Sequence, residues 1–131
     1  MKILATDMDG TFLDHLGAYD KARLDNLLDA CEAKDYVFTV ASGRALLALE
    51  ELFDGFVDRI AIIAENGALV QYKGEVLFES KLDPKDYLEI ADTTLALPTC
   101  EGILLSGRRG AYAPNCLLYT SPSPRDKRQS R

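Results

Sequence analysis

The chain has 131 residues, 47% of them hydrophobic, with 15 Lys/Arg against 21 Asp/Glu and a formal net charge of −6. That is enough chain for one modest core. The acidic balance, with a pI near 4.7, excludes a general nucleic-acid binder and an anionic-membrane binder, because both need a basic surface.

The charge is unevenly spread, with 11 Lys/Arg against 20 Asp/Glu up to residue 115 and 4 against 1 beyond it. Cys31, Cys100 and Cys116 are far apart and form no CxxC pair, so neither a disulfide framework nor a zinc site is indicated and the three read as reduced thiols. No run approaches the roughly 18 apolar residues of a membrane span, and the start MKILATDMDG carries charge where a signal peptide would be apolar. The expected location is cytoplasmic.

The first stretch, KILATDMDGTF from Lys2 to Phe12, reads as a buried strand ending in a charged lip. In an extended chain residues i and i+2 share a face, so Asp7 and Asp9 turn toward one small volume if that geometry persists to Asp9. Two carboxylates so close raise each other's pKa or call for a cation, and Mg²⁺, a hard ion with oxygen ligands, is the usual answer. Gly10 lets the backbone turn so that amides point at an incoming anion. The layout is that of a phosphate site with an acidic nucleophile.

Asp20 then predicts the N-cap of a helix carrying Leu24, Leu27, Leu28 and Cys31 at helical spacing and ending near Lys34. YVFTVA, residues 36–41, predicts a strand buried on both faces, finishing in Ser42-Gly43-Arg44. A second helix is expected at once, with Ala45, Leu49, Leu52, Phe53 and Phe56 inward. RIAIIA, residues 59–64, predicts a third buried strand, closed by Glu65-Asn66-Gly67. Alternating strand and helix is the pattern of a parallel α/β sheet with right-handed crossovers, whose ligands bind beyond the carboxyl ends of the strands. Asp7/Asp9, Ser42/Gly43 and Asn66 all fall at such ends.

From Ala68 a hairpin is expected, with Leu69–Gln71 and Val76–Phe78 around Lys73-Gly74. Asp83-Pro84 opens a third helix with Tyr87, Leu88, Ala91 and Leu95 as its apolar stripe, and Pro98 stops it. Ile103–Leu105 and Ala111–Ala113 are short strand candidates on either side of Arg108 and Arg109, which read as a solvated turn. Residues 116–131, CLLYTSPSPRDKRQSR, have no periodicity and read as a disordered tail foreign to the fold, with a native basic tail as the alternative.

Asp7-Met8-Asp9-Gly10-Thr11, then Ser42-Gly43-Arg44, then Glu65-Asn66-Gly67-Ala68 together resemble the haloacid dehalogenase (HAD)-like hydrolases, and within them the Cof-type branch, whose members often act on sugar phosphates. The resemblance covers residues 1 to about 115, roughly half of such an enzyme. It implies a Rossmann-like HAD core over residues 1–81 and the start of an α+β cap domain over 82–115. It also implies an Mg²⁺-dependent phosphatase acting on a small phosphorylated metabolite. Asp7 is then the nucleophile that forms an aspartyl-phosphate, and Asp9 the general acid/base.

By the same resemblance the Asp7 carboxylate and the Asp9 main-chain carbonyl hold Mg²⁺. The backbone amides of Met8, Asp9, Ser42 and Gly43, with the Ser42 hydroxyl, hold the phosphoryl group. Gly10, Thr11, Arg44 and Asn66 are possible lining residues, and for Asn66 a plain turn is an equal reading. Only 32 residues lie between Asp9 and Ser42, too few for a cap inserted there, so the cap is expected after the third strand. The lysine and the second acidic motif that such enzymes use late in the chain have no candidate after Asn115, Lys127 lying in the tail read as foreign, so these 131 residues alone are expected to be inactive or nearly so. The competing readings are a fragment without catalysis and a receiver-like domain that is phosphorylated on an aspartate.

Overall fold

The structure, a computed structural model, describes residues 1–100 and 102–113. Two compact units divide between Glu79 and Ser80, two residues before the boundary expected from sequence. The reading of residues 116–131 lies outside the described residues.

The first unit is built from β1 (Lys2–Asp7), α1 (Lys21–Ala33), β2 (Tyr36–Ala41), α2 (Leu46–Leu52), β3 (Ala61–Ala64), β4 (Leu69–Tyr72) and β5 (Glu75–Glu79). The strands form one sheet in the order β1-β2-β3-β4-β5. β1, β2 and β3 run parallel, with Asp7 beside Ala41 and Ala41 beside Ile63. β4 and β5 return antiparallel as the expected hairpin, slightly longer than predicted, with a register shift at Val70/Gln71. Because each parallel step moves the same way along the sheet, right-handed crossovers put both helices on one face. Their buried residues Leu24, Leu28, Cys31, Leu46 and Leu49 accordingly meet Phe38, Val40, Ile62, Ala64 and Leu69 in a single core. Each fully buried Leu or Ile there contributes roughly 1.5–3 kcal/mol.

Local chemistry sets the ends of α1. Asp20 accepts a hydrogen bond from the Arg23 amide at 3.0 Å and so caps the first turn. The loop before it is fastened by rings: Phe12 and Tyr19 pack on Phe53, and the Tyr19 hydroxyl donates to the Leu52 carbonyl at 2.9 Å. Burial, and then the Asp54 charge, push the Tyr19 phenol above its ordinary pKa.

Three expectations need correction. β1 is not buried: it lies at the sheet edge, where Ile3 is 67% and Leu4 41% exposed. Its apolar run has only β2 beside it among the described residues. α2 does not follow Arg44 at once but begins at Leu46 with Ala45 as N-cap, and it ends at Leu52. Phe53 and Phe56 still turn inward, from the irregular turn that follows. Arg59 and Ile60 precede β3 rather than starting it. The Arg59 guanidinium instead binds Asp25, Asp29 and Glu32 along one side of α1, at 2.6, 2.7 and 2.9 Å, and those carboxylates raise its pKa further.

In the second unit, α3 spans Pro84–Leu95, and its N-cap Asp83 accepts from the Lys85 amide at 2.9 Å. β6 (Leu105–Gly107) and β7 (Gly110–Tyr112) pair antiparallel, with Arg108 and Arg109 at the turn. β6 thus starts two residues later, and β7 one residue earlier, than the sequence predicts. The Gly107–Gly110 pair carries the ladder up to a two-residue connection.

Candidate active site

The three parallel strands end side by side, and the chain that leaves each of them supplies one part of the site. β1 stops at Asp7, and residues Met8–Phe12 form a wide turn closed by the Leu13 amide donating to the Met8 carbonyl at 3.0 Å. The strand geometry that was to carry Asp9 therefore ends two residues early. Sidedness survives nonetheless: Met8 is fully buried while Asp7 and Asp9 are exposed. Gly10, at φ +78°, makes the left-handed bend expected of it.

Different groups hold the two carboxylates. Asp7 Oδ2 receives a long 3.5 Å contact from the Thr11 hydroxyl. Asp9 is gripped by Arg44, whose Nε and Nη2 donate to its two oxygens at 3.2 and 2.7 Å. This bidentate pair joins the first loop to the second. The Arg44 side chain, a possible lining residue by sequence, is only 19% exposed and is fixed against Asp9. Arg44 directly after Ser42-Gly43 was the available signal.

The second loop corrects another expectation. The Ser42 amide donates to the Ile63 carbonyl at 2.9 Å, prolonging the β2–β3 ladder, and so it is not available to an anion. The Ser42 hydroxyl oxygen accepts from the Arg44 amide at 3.2 Å and keeps its own proton to donate. Ser42 is therefore not the cap of α2. The Gly43 amide has no acceptor among the described residues. α2 is short and starts three residues after Gly43.

The third loop braces the second. Glu65 and Asn66 donate their amides to the Arg44 and Ser42 carbonyls, at 3.0 and 3.3 Å. Both residues, and Gly67 after them, have positive φ, at 52°, 55° and 94°. The Asn66 side chain reaches back over Gly43: a Cβ built on that glycine would stand 2.7 Å from Asn66 Oδ1. Asp7, Asp9, Ser42, Gly43, Arg44 and Asn66 thus all lie at or beyond the carboxyl ends of β1, β2 and β3. His15 sits apart, in the exposed Asp14–Ala18 loop.

The Asp7 carboxylate and the Asp9 main-chain carbonyl are oxygen donors of the kind a hard divalent cation takes. No group of three or more His, Cys, Asp or Glu side chains gathers among the described residues. These two donors fit Mg²⁺ as part of a shell completed by water and further ligands. No helix among the described residues is long and apolar enough to cross a membrane.

Residues 4–130 match the family described as haloacid dehalogenase-like hydrolase, and the chain belongs to that family. The match runs into the residues that the sequence reading set aside as foreign. The 5-amino-6-(5-phospho-D-ribitylamino)uracil phosphatase YbjI of Escherichia coli (strain K12) is 32% identical over 112 residues, 86% of this chain and 41% of that protein. SMU.1108c from Streptococcus mutans UA159 has a similar structure, with a TM-score of 0.79 at 33% identity, covering 86% of this chain and 42% of that one. The HAD subclass IIB sugar phosphatase BT4131 shares the fold, with a TM-score of 0.62 at 22% identity over 86% of this chain and 44% of its own. The chain thus spans about two-fifths of the length of these relatives.

Proposed function

We propose that this chain is the nucleophile-bearing part of an Mg²⁺-dependent phosphatase that hydrolyses small phosphorylated metabolites, sugar phosphates foremost, through an aspartyl-phosphate. The observation that carries the reading is the meeting of two carboxylates, one bound bidentately by Arg44, with the open amide of Gly43 and the Ser42 hydroxyl at adjacent strand ends. Kinship with a phosphatase at 32% identity supports it.

In this reading the Gly43 amide and the Ser42 hydroxyl bind phosphoryl oxygens and fix the phosphorus in line with Asp7. An Asp7 oxygen attacks, the bond from phosphorus to the ester oxygen breaks, and the leaving alkoxide takes a proton from Asp9. In the second step water attacks phosphorus, Asp9 takes the proton back, and the bond to Asp7 breaks to release inorganic phosphate. Arg44 holds Asp9 where it can reach the leaving oxygen. Mg²⁺, when bound, neutralises charge on the phosphoryl oxygens.

The test is phosphate release from p-nitrophenyl phosphate and a panel of sugar phosphates with Mg²⁺. It compares the 131-residue chain with a longer polypeptide that contains it, each with and without Asp7→Asn. Turnover by the longer form and its loss by at least about 100-fold in the variant are expected. An undiminished rate after Asp7→Asn would remove the nucleophile assignment. Mg²⁺-dependent turnover by the short chain would overturn the expectation that these residues alone are inactive.

A further inference from the structure

We propose that Asn66 is a phosphoryl-binding residue, its side-chain amide donating to an oxygen of the group held at the Gly43 amide. This deepens the phosphatase reading and rests on it. A bare turn explains part of what is seen, since asparagine tolerates the left-handed backbone it adopts at φ 55°. It does not explain where the side chain goes.

The amide lies over Gly43 rather than along its own turn, with Oδ1 2.7 Å and Nδ2 3.3 Å from where a Cβ on that glycine would stand. Only glycine at 43 admits it there without displacement. Asn66 is exposed, and its side chain makes no hydrogen bond among the described residues, so both donors of its NH₂ are open to a ligand. Its backbone, by contrast, is pinned. The bonds from Glu65 to the Arg44 carbonyl and from Asn66 to the Ser42 carbonyl fasten this loop to the phosphate loop. Glu65 is held at φ 52°, a left-handed conformation that strains a residue of its type.

Strain held in place by a neighbouring loop, beside an open amide donor and an open backbone N–H, is the arrangement of a prepared anion contact. A neutral donor also suits a chain with a net charge of −6, which must draw in phosphate by local groups. Sequence left Asn66 evenly between turn and lining residue because where its side chain goes depends on how the third loop packs on the second.

The experiment follows the Gly43 amide resonance of the ¹⁵N-labelled 131-residue chain as inorganic phosphate is added in Mg²⁺ buffer. Asn66→Gly, Asn66→Ala and Asn66→Asp are compared with the parent. Glycine adopts the left-handed backbone freely and aspartate nearly as well as asparagine, so both preserve the turn. Asn66→Gly and Asn66→Ala are expected to weaken phosphate binding about tenfold, the scale of one hydrogen bond to a charged oxygen. Asn66→Asp should weaken it further, by repulsion that diminishes as salt is raised.

If Asn66→Asp and Asn66→Gly bind phosphate as tightly as the parent, the inference is wrong while phosphate binding at Gly43 stands. If the parent resonance itself does not respond, the phosphate-loop reading fails and takes the inference with it. Unchanged resonances on β2, β3 and α1 show that each variant is folded.

Discussion

Asp14 orders the chain just past the Met8–Phe12 turn. Its carboxylate accepts from the Ala18 and Leu16 amides at 2.9 and 2.8 Å, and those two bonds hold its pKa below the ordinary 3.8. A folded value below the unfolded one means that the contribution is complete above 3.8 and is lost as pH falls through the lower, folded value. Amide exchange at Leu16 and Ala18, corrected for intrinsic rates, is therefore expected to lose protection only below pH 3.8. Asn at position 14 keeps an acceptor and should flatten that dependence. Equal pH profiles for the parent and Asp14→Asn would show that the carboxylate does not organise the loop. At this scale the sequence was legible where residue type fixes conformation: Gly10 takes the left-handed bend expected of it, and Asp7 and Asp9 both lie exposed where β1 ends. It was illegible where one hydrogen bond decides. Whether the Ser42 amide meets Ile63 or an anion depends on how β2 and β3 align, which no residue type announces.

The elements show the same division. α1 and α3 were readable because Asp20 and Asp83 announce their caps chemically. α2 was misjudged, since Leu52, Phe53 and Phe56 keep one apolar face inward whether the backbone is helix or turn. β4 contains a feature with a measurable cost. Gln71 is 2% exposed, and its Nε2 has no hydrogen-bond partner among the described residues. A buried donor left unsatisfied costs about 1–3 kcal/mol, whereas Met fills nearly the same volume without a donor. Gln71→Met is therefore expected to raise stability by about 1 kcal/mol, read as a higher urea midpoint at unchanged slope. A lower midpoint would mean that the Gln71 amide has a role that its position in β4 does not reveal.

In the first unit as a whole, the helices cover one sheet face and β1 closes one edge. Apolar content alone could not separate an edge strand from a central one, so KILA was read as buried when Ile3 is in fact 67% exposed. An apolar edge with unpaired backbone is a template for further strands. Ile3→Lys should reduce self-association of the chain, measured by sedimentation velocity. It should leave the urea midpoint within about 0.5 kcal/mol of the parent, as for a surface change. Unchanged association would place the sticky surface elsewhere, with exposed Leu77 and Phe78 on β5 as the next residues to substitute.

Spatial order equal to chain order, from β1 through β5, also bears on how the sheet is assembled during synthesis. Each strand that leaves the ribosome finds its partner already made immediately before it, so no segment waits for a distant one. Pairings between consecutive strands keep loop-closure costs low and favour rapid, stepwise growth. The loops at the strand ends inherit that schedule: the last of the residues gathered there among those described, Asn66, emerges only two residues after β3 ends at Ala64.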